Sequence, residues 1–169
     1  MRRCAIVVFP QGEGLAVVEQ LRQRFDPLTQ LIPAHVTLVF PFVDELSSSQ
    51  LHAHIRQAVE QTPPFVARFE GVEAEGEFIL LSATVGRDEL AALHDRLYRG
   101  PLAIHRRGHG YQPHITLGRV RDEPARAEAL ALARAQLPPF DSWIREVALI
   151  RLDSGSSAAV ELTVPLPAG

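Results

Sequence analysis

Two short stretches of the chain carry side chains whose types and spacing suit chemistry. Residues 31–42 read Leu-Ile-Pro-Ala-His-Val-Thr-Leu-Val-Phe-Pro-Phe, and residues 112–119 read Gln-Pro-His-Ile-Thr-Leu-Gly-Arg. Each reads as a short strand preceded by proline. A strand alternates its faces with period two, so His35 and Thr37 share one face while Val36, Leu38 and Phe40 share the other. By the same rule His114 and Thr116 share a face, and Ile115 and Leu117 turn to the core. With seven His and six Thr in the chain, one His-apolar-Thr-apolar run arises by chance about 0.05 times, and two about 0.001 times. The repetition carries the weight, because a lone strand histidine is more often a packing residue.

An imidazole titrates near neutrality, so it can take a proton from water or give one to a leaving oxygen. Two of them on opposite sides of a phosphorus atom can do both at once. The hydroxyl two residues on can donate to a non-bridging phosphate oxygen, where charge gathers in the transition state. Neither motif contains a carboxylate, which argues against a two-metal or His/carboxylate metal site. No metal and no cofactor are expected. Which histidine is base and which is acid stays open from these residues.

The elements around the motifs form a pattern that occurs twice. Residues 3–9 read as a strand and 15–25 as a helix with Leu15, Val18, Leu21 and Phe25 at helical spacing. The His35 strand follows, then a helix after the capping hydroxyls of Ser47, Ser48 and Ser49. Strands are expected at 65–72 and 78–85. A helix at 88–99, a longer connection at 100–113 and the His114 strand come next. A helix capped by Asp122, with Pro124 early in it, ends near Gln136. One long strand at 142–152 and a last strand with Val160, Leu162 and Val164 on one face complete the chain. Pro-Pro-Phe stands at 63–65 and again at 138–140, each time one helix after a histidine strand. The chain therefore reads as a single bilobal domain over 1–169, with sequence repeats of about 1–75 and 76–169. Its fold class is α+β: a pseudo-twofold duplication of a strand–helix–strand–helix–strand unit, mainly antiparallel, with helices outside and a central cleft.

Composition narrows the remaining classes. A formal charge of −3 offers no general attraction to nucleic acid. All 17 basic residues are arginine, which removes any lysine nucleophile or Walker-type lysine. One cysteine, Cys4, rules out a disulfide framework. The apolar run near the start is too short for a secretory signal, and no segment is long enough to span a membrane. The expected setting is the cytoplasm, and the expected state a monomer without an obligate protein partner.

The paired His-apolar-Thr-Leu motifs on two lobes of a small α+β protein resemble the two-histidine phosphoesterase superfamily, also called 2′-5′ RNA ligase-like. Residues 24–27 (Arg-Phe-Asp-Pro), followed by residues 31–38, look most like a bacterial branch of it. The resemblance implies that His35 and His114 are the catalytic pair and that Thr37 and Thr116 bind phosphate. It implies a phosphodiesterase that works without metal on 2′,3′-cyclic or 2′-5′-linked nucleotide or RNA phosphodiesters, and is named for the reverse ligation. The substrate would be a nucleotide or an RNA terminus; an ADP-ribose cyclic phosphate satisfies the same four residues. The alternative function is a nucleotide- or RNA-binding module with the same cleft but little turnover.

Further substrate contacts are candidates rather than motif members. Arg119 faces away from the cleft on an unbroken strand, unless a bulge re-aims it. The loop before the second motif offers Arg107, His109 and Tyr111 as a lid over substrate. Phe9 and Phe42, at strand ends, offer stacking surfaces for a base or packing for the core. His52, His54 and His94 fall on helices and read as surface or packing residues.

Overall fold

The computed structural model describes residues 2–108 and 110–169. In chain order the elements are β1 (Arg2–Val8), α1 (Leu15–Phe25), β2 (Val36–Asp44), α2 (Ser48–Val59), β3 (Phe65–Glu75) and β4 (Phe78–Val85). They continue with α3 (Arg87–Leu97), a 3₁₀ helix (Gly100–His105), β5 (His114–Arg119), α4 (Glu123–Gln136), β6 (Phe140–Ile144), β7 (Glu146–Arg151) and β8 (Ala159–Pro165). Apolar residues at i, i+3 and i+4 spacing form the inner helix stripes: Leu51, Ile55 and Val59 on α2, and Leu90, Leu93 and Leu97 on α3 are all buried. Ser47 and Gln50 close a capping box at the start of α2, and Asp122 accepts from the Ala125 N–H at 2.9 Å to open α4.

The strands form one sheet in the order β6-β3-β4-β5-β2-β1-β7-β8, with every pairing antiparallel. The expected α+β, largely antiparallel architecture is the one the structure has. The two histidine strands, β2 and β5, are neighbours at the middle. Outward from them, β1, β7 and β8 on one side match β4, β3 and β6 on the other. The two sequence units interlock. β3 ends the first unit yet pairs with β4 of the second, while β7 returns to pair with β1. The helices cross over in the same way, α1 lying against β5 and α3 against β2. Gly118 marks one such crossing, since a Cβ there would stand 2.6 Å from Phe25 Cβ and 3.0 Å from the Phe25 carbonyl oxygen.

Four local expectations change. The first histidine strand begins at Val36, because residues 26–34 are gathered in turns against α1. The strand expected over 142–152 is two strands, broken between Ile144 and Glu146, where the chain passes from the β3 edge to β1. The break coincides with two consecutive exposed charged residues, Arg145 and Glu146, which interrupt the alternation. Val160 is 56% exposed, since a register shift in β8 turns Glu161 inward instead. Phe40, expected in the core, is 47% exposed for a similar reason. Among the described residues no helix is long and apolar enough to cross a membrane.

Candidate active site

β2 and β5 pair at Val36 and Ile115, both fully buried. One residue further along that antiparallel register, His35 stands opposite Thr116 and Thr37 opposite His114. The two histidines are then diagonal neighbours, about 7–8 Å apart between backbones. All four side chains are partly buried, while Val36, Leu38, Ile115 and Leu117 between them are closed off from solvent. The structure thus brings the two His and two Thr to one face at the seam between the half-sheets.

Each imidazole is oriented by the main chain two residues before it. His35 Nδ1 lies 2.8 Å from the Pro33 carbonyl oxygen, and His114 Nδ1 lies 2.8 Å from that of Gln112. A carbonyl only accepts, so Nδ1 carries the proton in both rings and Nε2 is left to act on a substrate. Burial is the main influence that lowers the His35 pKa below 6.5, aided by the charges of Arg22 and His114 and opposed by the Pro33 carbonyl and Asp26. His35 is therefore held neutral near pH 7.

Both motif strands then bulge at the same place. In β2 the pairing with β1 slips between Ile6↔Val39 and Val7↔Thr37, so Leu38 and Val39 are both buried and Phe40 turns to the histidine face. In β5 the pairing with β4 slips between Ile79↔Gly118 and Leu80↔Thr116, so Leu117 and Gly118 are both buried and Arg119 turns out. Phe40 and Arg119, each five residues after its histidine, are thus equivalent positions. Arg119 Nε donates to Glu77 Oε1 at 2.8 Å, and its guanidinium stands 5.5 Å from the Phe78 ring centre.

Beyond Val36 the β2 backbone is met by side chains. Tyr111 donates its hydroxyl to the Thr37 carbonyl at 2.8 Å, His94 Nδ1 donates to that of Leu38 at 2.7 Å, and the Tyr98 hydroxyl accepts from the Phe40 N–H at 3.0 Å. The Tyr111 ring stacks flat on His94, with centroids 3.8 Å apart. Burial pushes the Tyr111 and Tyr98 phenols up and the His94 imidazole down, so all three stay neutral. Two grooves open beside His114. One, of about 480 Å³, is lined by Arg106, Arg107, Tyr111, Gln112, Ser82 and Phe40. The other, of about 520 Å³, is lined by Phe40, Phe78, Leu80, Glu77 and Thr116.

The remaining candidates divide. Tyr111 and Arg107 line the first groove, and Arg119 is on the histidine side through its bulge. His109 lies outside the described residues. Phe42 is 4% exposed, with its ring 5.2 Å from that of His105, and Phe9 packs beside Ile32 and Ala148; neither lines a groove at His114. Two exposed aromatics line the grooves at His114, Phe78 and Phe40, and strict alternation hides Phe40 in the core. The signal for it was Pro41, which cannot donate to a strand ladder and often accompanies a bulge. His94 is the second residue missed, since nothing in a helical histidine announces that it will buttress a neighbouring strand. Among the described residues no three His, Cys, Asp or Glu side chains group as metal ligands.

Comparison with known proteins bears on the family and the fold. The model of the 2′-5′ RNA ligase superfamily matches residues 10–156. A protein of Geobacillus kaustophilus named "Putative phosphoesterase" is 29% identical over 161 residues, covering 92% of each chain. The crystal structure of Escherichia coli LigT complexed with phosphate superposes with a TM-score of 0.61 at 16% identity, covering 97% of this chain and 96% of that one. The same protein complexed with 3′-AMP gives 0.60 at 17%, covering 98% and 95%. The chain belongs to the 2′-5′ RNA ligase superfamily.

Proposed function

We propose that this protein is a phosphodiesterase that opens a 2′,3′-cyclic, or cleaves a 2′-5′-linked, nucleotide or RNA phosphodiester without a metal ion. The superfamily membership and the names of its relatives support the phosphoesterase class. The observation that carries the finer reading is the matched pair of Nδ1–carbonyl bonds, which leaves one Nε2 on each histidine free for proton transfer. His35, kept neutral by burial, is the base: its Nε2 takes a proton from water as the water oxygen bonds to phosphorus. His114, in its protonated form, is the acid: its Nε2–H protonates the sugar oxygen as the bond from that oxygen to phosphorus breaks. In the ligation direction the two roles exchange. Thr37 and Thr116 donate their hydroxyls to the non-bridging oxygens, where negative charge accumulates. Phe40 offers a stacking face beside the phosphate, and Arg107 and Arg119 offer positive charge to either side of it.

The test is turnover of purified protein, in EDTA, against a panel of 2′,3′-cyclic nucleotides, 2′-5′ dinucleotides and cyclic-phosphate-ended RNA. Hydrolysis that is lost in His35→Ala and His114→Ala, with nucleotide affinity retained, supports the reading. Affinity without turnover in the unaltered protein makes it a binding module instead.

A further inference from the structure

Arg22 is 1% exposed, and nothing about α1 as a packed helix calls for a charge there. A buried cation is costly unless paired, and apolar residues of similar volume commonly stabilise such positions equally well. Each of its three guanidinium nitrogens nonetheless has a partner. Nε donates to Asp26 Oδ2 at 2.9 Å, Nη1 to both Glu19 oxygens at 3.1 Å, and Nη2 to the Ile32 carbonyl at 2.8 Å. Glu19 Oε1 also accepts from the Ala34 N–H at 2.6 Å, and Asp26 Oδ1 from the Leu28 N–H at 2.9 Å. The network therefore grips the main chain on both sides of Pro33, at Ile32 and at Ala34. Pro33 is the residue whose carbonyl receives the His35 Nδ1–H.

The other histidine is supported differently. Its partner carbonyl belongs to Gln112, in a segment held by the Ala83 N–H on the Pro113 carbonyl at 3.0 Å and by the Tyr111 hydroxyl on Thr37. Arg22 contacts neither, so a change at Arg22 is felt by one histidine of the pair.

We propose that Arg22, working through Glu19 and the main chain at 32–34, is the positioning residue of His35. It holds the Pro33 carbonyl where that oxygen selects the Nδ1–H tautomer and aims Nε2 into the cleft. The proposal rests on His35 being catalytic, as proposed above. Losing the grip lets the ring rotate and exchange tautomers, which costs turnover more than binding.

The experiment compares Arg22→Lys, Arg22→Met, Glu19→Ala and Glu19→Gln with the unaltered protein. Long-range ¹⁵N–¹H correlation spectra should report Nδ1–H on both histidines of the unaltered protein. In Arg22→Met and Glu19→Ala, His35 should become a mixture of tautomers while His114 is unchanged. On a 2′,3′-cyclic nucleotide kcat should fall about 10- to 100-fold with KM within about threefold. Glu19→Gln, which keeps an acceptor for the Ala34 N–H, should recover most of the loss, and Arg22→Lys only part. Glu19 is partly exposed, so its variants carry the test if Arg22→Met does not fold. A folded Glu19→Ala with His35 still wholly Nδ1–H and kcat within about twofold of the unaltered protein overturns the proposal. A silent Glu19→Ala beside an inactive His35→Ala removes only the positioning role. Full turnover in His35→Ala removes the catalytic reading and this one with it.

Discussion

His35 and His114 hold their imidazoles by the same device: each directs Nδ1 at the carbonyl oxygen two residues earlier, at the same 2.8 Å. The local geometry is duplicated, but the surroundings are not. His35 is backed by a buried arginine with two carboxylates, whereas His114 opens onto two grooves. A symmetric pair is thereby given unlike environments, which is what dividing acid from base requires.

Replacing either histidine with alanine should lower kcat on a 2′,3′-cyclic nucleotide by about 10²–10⁴. The double variant should lose far less than the product of the two, because the rings act as a unit. Steady-state kinetics in EDTA checks both expectations, and near-native turnover in either single variant contradicts the assignment.

The pH profile of kcat/KM should be bell-shaped. Its acid limb should fall below the ordinary histidine value of about 6.5, because burial lowers the His35 pKa. Rates measured from pH 4.5 to 9 locate that limb, and an acid limb above pH 7 would exclude His35 as the base.

Stability should also depend on pH, with a definite sign. His35 and His94 both have lowered pKa values in the folded chain, so the unfolded chain binds protons more readily. Their contribution is complete above about pH 6.5 and is lost as the pH falls through the folded-state values. Urea midpoints at pH 7.5 and pH 5 should differ in favour of pH 7.5. His94→Phe should reduce the difference while lowering stability at both pH values, since it leaves the Leu38 carbonyl unmet.

Tyr111→Phe removes only the hydroxyl that meets the Thr37 carbonyl and keeps the stack on His94. It should cost about 0.5–1.5 kcal/mol of stability, the ordinary net worth of one hydrogen bond. Thr116→Val should leave stability nearly unchanged and raise the activation barrier by about 1–3 kcal/mol, the cost of a lost bond to a charged oxygen. Denaturation and kcat/KM measured side by side separate the two effects.

Gly118→Ala should destabilise by about 1–3 kcal/mol, because the new methyl meets Phe25 Cβ and the Phe25 main chain where α1 crosses β5. The same displacement disturbs the bulge that presents Arg119. A thermal melt unchanged from the native one would mean that the crossing is looser than the structure has it.

The α+β class and the two strands that carry the His-apolar-Thr motifs were legible in the sequence, because they depend on local rules. Strand alternation, helical spacing, proline and glycine punctuation and a motif written twice need only the neighbours in the chain. What tertiary structure decided is everything set by a partner strand or helix. β3 and β7 exchange halves because antiparallel pairing is chosen by the whole sheet, not by the unit that a strand ends. Phe40 and Arg119 reach the histidine face because a bulge is a mismatch between two strands, and one strand alone does not contain it. Arg22 and His94 gained their places for the same reason. A polar side chain on a helix finds its buried partners, the Ile32 and Leu38 carbonyls, only once another part of the chain has been packed against it.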